Sequence, residues 1–320
     1  MAEFRTYTAI GQREDLSNTI FNIAPTETPV VSSIGKTKAT ATYHEWQTDD
    51  LAAASAGGLI EGADASGASD TPTTRVGNRT QIQGKTVHIS GTLDAVDKAG
   101  RKTETAYQLA KAGQELKRDM EKTILGNVAA SNGTAGSAAR LLGSIQSWLG
   151  TNFVTMTDGV APVGSNGTAA RTEGATASAF TEAKLKDVVK SCFENGGNPT
   201  LLVVPPTQKQ VVSTFAGIAA QRYEAPAAKA TTIIGAADVY LSDFGTLSVV
   251  PDRFMTADTT PDAEQALVLD PTMASVATLR PFESNLLAKT GDSEKHQMLV
   301  EYTLQVSNEK AHGIVADLAV

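Results

Sequence analysis

TETAYQLAKAGQELKRDMEKTILGN, running from Thr103 to Asn127, is the stretch on which the fold turns. Its apolar residues Ala106, Leu109, Gly113, Leu116, Met120 and Ile124 recur at intervals that line one face of an α-helix. Thr105 followed by Gln108 offers a capping box at the start, and Gly126 with Asn127 supplies a stop. Such a helix is roughly 37 Å long, well beyond the globular average, and can act as a spine.

Upstream of it the period changes from helical to alternating. From Ala39 to Asp49, Tyr43, Glu45 and Gln47 fall on one face and Thr42, His44 and Trp46 on the other, which predicts a strand. Thr73 to Asp94 returns to strand character through Val76, Ile82, Val87, Ile89 and Leu93, interrupted by Gly77 and Gly84. Ala52 to Pro72 lies between, rich in Ala, Gly, Ser and Asp, with too little apolar surface to offset its own ordering entropy. The whole therefore predicts a two-stranded excursion with a flexible tip, which is marginal in water unless it packs on something else. Further upstream, Leu16, Ile20 and Ile23 keep helical spacing until Pro25 ends it, and Pro29 is expected to hold the chain extended. These residues form an arm feeding a sheet.

Downstream, the small-residue stretches Ala129 to Ala139 and Thr155 to Ala179 flank an amphipathic piece, Leu141 to Phe153, that contains Trp148. The second of them is a natural domain boundary. An α/β module follows: a helix from Thr181 to Glu194, a buried strand at Leu201 to Val204, and a short helix at Gln208 to Phe215. Val239 to Leu241 and Leu247 to Val250 form a hairpin, through a Ser242 to Thr246 loop longer than the tightest turns. The module closes near Pro271. Ser275 to Leu279, Asn285 to Lys289 and the alternating run Met298 to Ser307 are strands, and such terminal strands need partners. The simplest partner is the sheet beside the spine helix, with the α/β module inserted between the halves of the first module. The fold class is α+β, divided into an arm (1–38), an extended loop (39–97), a spine-helix domain (98–154), an inserted α/β domain (155–272) and returning strands (273–320).

Composition narrows the function. A chain of 320 residues can bury a real core and favours two modules. With 41% hydrophobic but 5% aromatic residues it suits thin sheets and extended segments, and large interfaces would supply the missing burial. A net charge of −8 without clustered Lys and Arg excludes ordinary binding to nucleic-acid phosphates. Cys192 stands alone, so no disulfide forms within the chain; it reads as a small buried hydrophobe folded in a reducing compartment. Met1 to Ile20 has no apolar block and is no signal peptide, and no stretch is long enough to cross a membrane.

The motifs that could carry chemistry are each incomplete. Gly35-Lys36-Thr37 and Gly84-Lys85-Thr86 each match the end of a phosphate loop, but Val30 and Arg79 stand where the upstream glycine is required. His44-Glu45 begins a zinc-protease motif whose second histidine would be Thr48. His44, His88, His296 and His312 are too widely spaced to suggest a ligand set. No nucleophile elbow or dinucleotide fingerprint occurs, and Asp49 with Asp50 reads as a solvated loop. The expectation is a protein with no catalytic residue, metal or cofactor.

Several short runs carry a resemblance: Gln12-Arg13-Glu14-Asp15-Leu16-Ser17, Ile23-Ala24-Pro25 with Thr28-Pro29, and Glu45-Trp46-Gln47-Thr48-Asp49-Asp50-Leu51. Asn78-Arg79-Thr80-Gln81-Ile82, Val87-His88-Ile89-Ser90-Gly91-Thr92 and Arg118-Asp119-Met120-Glu121 extend it. Over about the first 135 residues the chain resembles major capsid proteins of tailed double-stranded DNA bacteriophages with the Hong Kong 97 type fold, and more closely the SU-ten-like major head protein family. The resemblance implies a structural subunit, not an enzyme, that self-assembles into pentamers and hexamers. The shell would enclose double-stranded DNA without reading its sequence, and a mildly acidic wall would leave that DNA mobile. Portal, scaffolding, decoration or minor head proteins are implied partners, the virion the location, and the host bacterial cytoplasm the place of assembly. The spine helix and returning strands would be the peripheral domain, and the inserted module the axial domain. Ile23, Pro25, Pro29, Trp46, Ile82, Val87 and Ile89 become candidates for contact between subunits. Lys85 and Asn308 become candidates for a covalent crosslink, against the plainer reading of two solvated side chains. An encapsulin-like nanocompartment shell shares the fold and is the alternative; a surface-layer or adhesive protein is a more distant one.

Overall fold

The computed structural model describes residues 26–58, 60–62, 64, 71–155, 158–215, 238–255 and 264–319. Its first element is α1 (Pro29–Ser33), a single turn where the sequence predicts extended chain. Pro29 sits at the first helical position, where its missing N–H is no loss and its fixed φ suits the helix. The Val30 and Val31 N–H groups donate to the carboxyl of Glu121 at 2.6 and 2.8 Å, which satisfies the turn from outside. β1 (Gly35–Lys38) follows and is not predicted, because Gly-Lys-Thr-Lys has no apolar alternation.

β2 (Tyr43–Thr48) and β3 (Thr74–Arg79) pair antiparallel as an isolated ribbon, as expected of the excursion. The strand predicted over Thr73 to Asp94 breaks at Thr80, and its second half, β4 (Gln81–Ser90), joins a different sheet. Thr80 makes the corner: its N–H donates to Thr42 O at 2.9 Å and its hydroxyl to Glu301 at 2.8 Å. α2 (Gly91–Ala95) is capped by the Ser90 hydroxyl. The spine is α3 (Glu104–Leu125), 22 residues and so about 33 Å long. Thr103 is its N-cap, which displaces the expected capping box; the Gln108 amide donates instead to Glu104 at 2.8 Å. Leu116, Met120 and Ile124 are buried as the periodicity requires, but Ala106 is exposed, and apolar burial along the helix begins only at Ala112.

The chain then runs through β5 (Phe153–Val154), α4 (Glu182–Glu194), β6 (Leu201–Val204), α5 (Pro206–Val212), β7 (Val239–Ser242), β8 (Gly245–Pro251) and β9 (Ala266–Leu269). The hairpin of β7 and β8 pairs Ser242 with Gly245, a two-residue turn that is tighter than the loop expected. Gly245, at φ 151°, supplies a backbone geometry that residues with a Cβ rarely adopt. β10 (Ala274–Leu286) is one strand of 13 residues where the sequence predicts two short ones. Pro281 lies within its irregular stretch, where a register shift spares the ladder the missing N–H, so the sequence pattern breaks although the strand does not. β11 (Ser293–Val306) and β12 (Gly313–Val315) complete the chain.

Two larger sheets result. One has four strands in the order β1-β10-β11-β4, and the other six in the order β5-β12-β9-β6-β8-β7. The final strand therefore closes the α/β sheet instead of returning with β10 and β11 to the sheet beside the spine. β6 and β9 are buried at every position because both faces of their sheet are covered. One face, through Val203, Leu267 and Ile314, shares a core with Met120 and Ile124 of the spine and with Val300 and Tyr302 of β11. The other, through Leu202, Val204 and Val268, packs under Leu185, Val188 and Cys192 of α4.

Candidate assembly surfaces

The root of the excursion is fastened by polar and aromatic contacts in place of an apolar core of its own. Trp46 of β2 stacks on Trp148 with ring centroids 5.3 Å apart, a pairing worth about 0.5 to 1.5 kcal/mol beyond its buried area. Asn78 of β3 is wholly buried; its amide donates to Gly143 O at 2.9 Å and Leu304 O at 2.8 Å, and its oxygen accepts from Gly143 N. Beside it Glu301 is held between Arg140 at 2.5 Å and Arg280 at 2.9 Å. Removing one partner of such a buried cluster leaves an uncompensated charge, so the corner at Thr80 is rigidly specified.

Beyond this root no described residue covers the excursion. Arg75 grips Glu45 through two bonds of 2.7 and 2.9 Å, Arg79 lies over the Tyr43 ring, and β2 ends at Thr48. Leu51 is 99% exposed and Ile60 is also bare. The same holds at two other extremities. The far half of β10 leaves Phe282 and Leu286 uncovered, the latter 64% exposed. On the outer strand of the α/β sheet Leu241 is 77% exposed, and nearby Phe193 and Phe244 meet with centroids 4.8 Å apart. Apolar side chains left bare at extremities are the mark of surfaces completed by another chain.

The residues singled out in the sequence divide accordingly. Ile23 and Pro25 lie outside the described residues. Pro29 opens α1, Trp46 is packed within the subunit on Trp148, and Ile89 is buried in the subunit. Val87 is half-buried or more exposed by turns with its neighbours along β4, and Ile82 is the large apolar side chain of that strand left bare. Lys85 lies in a groove of about 310 Å³ between β4 and α3, 3.0 Å from Asp119 and 3.7 Å from Glu115. The hydrogen bond to Asp119 and the two negative charges hold its ammonium above the usual lysine range, which protects the protonated form. Asn308 does not line that groove; it caps a short 3₁₀ turn, where its side-chain oxygen accepts from Lys310 N at 3.1 Å. Leu51, Leu241, Phe282 and Leu286 are surface candidates that the sequence reading misses. Leu241 is readable, since Val239, Tyr240 and Leu241 alternate around an inward tyrosine.

The groups with chemical potential are occupied structurally. Both phosphate-loop look-alikes lie in strands, β1 and β4, and neither opens a helix. Among the described residues no three His, Cys, Asp or Glu side chains gather as a metal site, and no helix is long and apolar enough to cross a membrane. Cys192 is buried, and burial pushes its thiol up to about 12, away from a reactive thiolate. His312 is buried against β9, where its Nδ1 accepts from Asp270 N at 3.1 Å, and burial pushes it down to about 4. Arg171 and Asp317 form a wholly buried pair at 3.1 Å that ties the loop before α4 to the last residues.

Comparison with known proteins matches this arrangement. The SU10 major capsid protein family matches residues 4–319. A major capsid protein of Escherichia phage Phieco32 is 38% identical over 123 residues, which is 38% of this chain and 35% of that protein. The match thus spans about a third of the length of that relative. Among solved structures, a chain of the Cyanophage A-1(L) capsid asymmetric unit superimposes with a TM-score of 0.69 at 12% identity, covering 96% of this chain and 97% of that one. A chain from Mycobacterium phage Ogopogo gives 0.62 at 14% identity, over 99% of this chain and 100% of that one. The shared fold is the α+β capsid fold that the order of elements predicts.

Proposed function

The chain belongs to the SU10 major capsid protein family, and on that premise we propose that it builds an icosahedral bacteriophage shell from pentamers and hexamers of itself around double-stranded DNA. The observation that carries this reading is the contrast between a closed α/β core and extremities whose apolar side chains no described residue covers. Repeated over a closed shell, such surfaces bury far more area than a standard interface of about 1,600 Å². In this reading residues 1–38 are the arm and 39–97 the extended loop lying across neighbours. Residues 98–154 and 273–320 supply the peripheral domain, and 155–272 the axial domain, to whose sheet β12 also contributes. Portal, scaffolding or decoration proteins would be further partners, and the host cytoplasm the site of assembly.

Electron microscopy of the purified protein, with its nucleic-acid content measured, tests the proposal. Uniform particles or five- and six-membered rings are expected; a monomer that stays monomeric at high concentration would overturn it. Particles filled with protein cargo in place of nucleic acid would support an encapsulin-like compartment instead. Deleting Ala52 to Asp70 should leave the subunit folded and stop assembly, because the described residues of the loop contribute nothing to either core.

A further inference from the structure

Glu121 lies near the end of α3, Asp252 directly follows β8, and both are wholly buried. A buried carboxylate must find donors or a cation. Glu121 receives the Val30 and Val31 N–H groups of α1 at 2.6 and 2.8 Å, and Asp252 Oδ1 receives the Phe254 N–H at 2.7 Å. Asp252 Oδ2 is buried without a donor of that kind. It belongs to a carboxyl within hydrogen-bonding reach of Glu121. Two full charges so placed repel in a medium that screens them poorly, whereas one proton between them turns the contact into an O–H···O bond.

No neighbouring cation relieves the pair. α1 and β6 carry no ionisable side chain, although Val204 O of β6 accepts from Asp252 N at 2.9 Å. On α3, Lys117 and Lys122 are exposed, and the Arg118 guanidinium lies over Phe254, 5.5 Å from its centroid. Arg253, next to Asp252, is exposed. Among the described residues the charge that acts on Glu121 is that of Asp252 alone.

We propose that Glu121 and Asp252 form a one-proton latch that fastens α1 and the end of β8 to the spine helix and releases them when the proton leaves. Burial, followed by the neighbouring carboxyl, outweighs the backbone donors and raises Glu121 to about 8; burial raises Asp252 as well. The folded chain therefore keeps a proton that the unfolded chain has already lost. The stabilisation is complete below about pH 4.5, declines as pH rises, and is gone above about pH 8. α1 is the part that loosens, since it is a single turn held by two amides on the carboxyl that becomes charged in a pair.

Amide hydrogen exchange on the full chain between about pH 6 and about pH 10, corrected for the intrinsic rate, tests the latch. Protection of Val30 and Val31 should fall by up to roughly tenfold per pH unit above the midpoint. Asp252→Asn, whose amide donates to the Glu121 carboxylate without a shared proton, should hold that protection level. Infrared spectroscopy of the native chain gives a readout that depends on no variant: a buried carboxylic acid C=O band should persist at neutral pH and vanish above about pH 8. Level protection across the range in the native chain, an equal fall in Asp252→Asn, or no acid band at neutral pH would each overturn the proposal.

Discussion

β9 and the far half of β10 are neighbours in the chain and opposites in what surrounds them. Ala266, Leu267, Val268 and Leu269 are all buried, because one face of their sheet meets the spine and the other meets α4. β10 starts the same way, with Ala274 to Ala277 buried, and then leaves the core so that Phe282 to Leu286 are bare. Apolar residues occur along the whole of this path; what changes is the covering. A subunit built this way divides its work: the six-stranded sheet makes it fold, and the ribbon and strand tips give it surfaces that only another molecule can complete.

The contrast can be broken most severely within the folded part. Asp317→Asn keeps the size of the side chain and tolerates the left-handed backbone at φ 56°, but leaves Arg171 charged in a site that water does not reach. The expected loss is about 3 to 5 kcal/mol in denaturant unfolding. The next effect is a pH dependence. His312 titrates near 6.5 when unfolded and is pushed down to about 4 by burial, so the folded chain binds fewer protons between those values. Its stabilisation is present above about pH 6.5 and is lost as pH falls towards 4, by up to about 3 kcal/mol. His312→Gln should flatten that part of the curve of Tm against pH; an unchanged slope would show that other groups carry it.

How much of this is readable in the sequence follows from how each element is held. α3, α4 and β6 are legible because their apolar periodicity is continuous over most of the element. β1 is not, because Gly35 to Lys38 is held by backbone pairing to β10, which leaves no side-chain pattern. Strand character runs unbroken through Thr80, so the corner there depends on Arg140 and Glu301, which no local window contains. The contact candidates suffer in the same way. Trp46 reads as a residue free for a neighbour until Trp148 comes to stack on it, and Glu121 reads as an ordinary helix-surface charge until Asp252 and α1 close around it.

In the ribbon the same tests should do little to the subunit. Arg75→Ala removes a two-bond pair with Glu45, but Arg75 is largely exposed, so about 0 to 1 kcal/mol is expected in thermal unfolding. Leu286→Ser should be smaller still, within about 0.5 kcal/mol, because the side chain buries little in the isolated subunit. Its value lies in the second measurement. If the tip of β10 is covered by a neighbouring subunit, this nearly silent substitution should sharply lower the yield of particles by sedimentation. A subunit that is destabilised by Leu286→Ser, or that assembles normally with it, would mean the tip is not an assembly surface, and would confine that role to the ribbon and the edge of the α/β sheet.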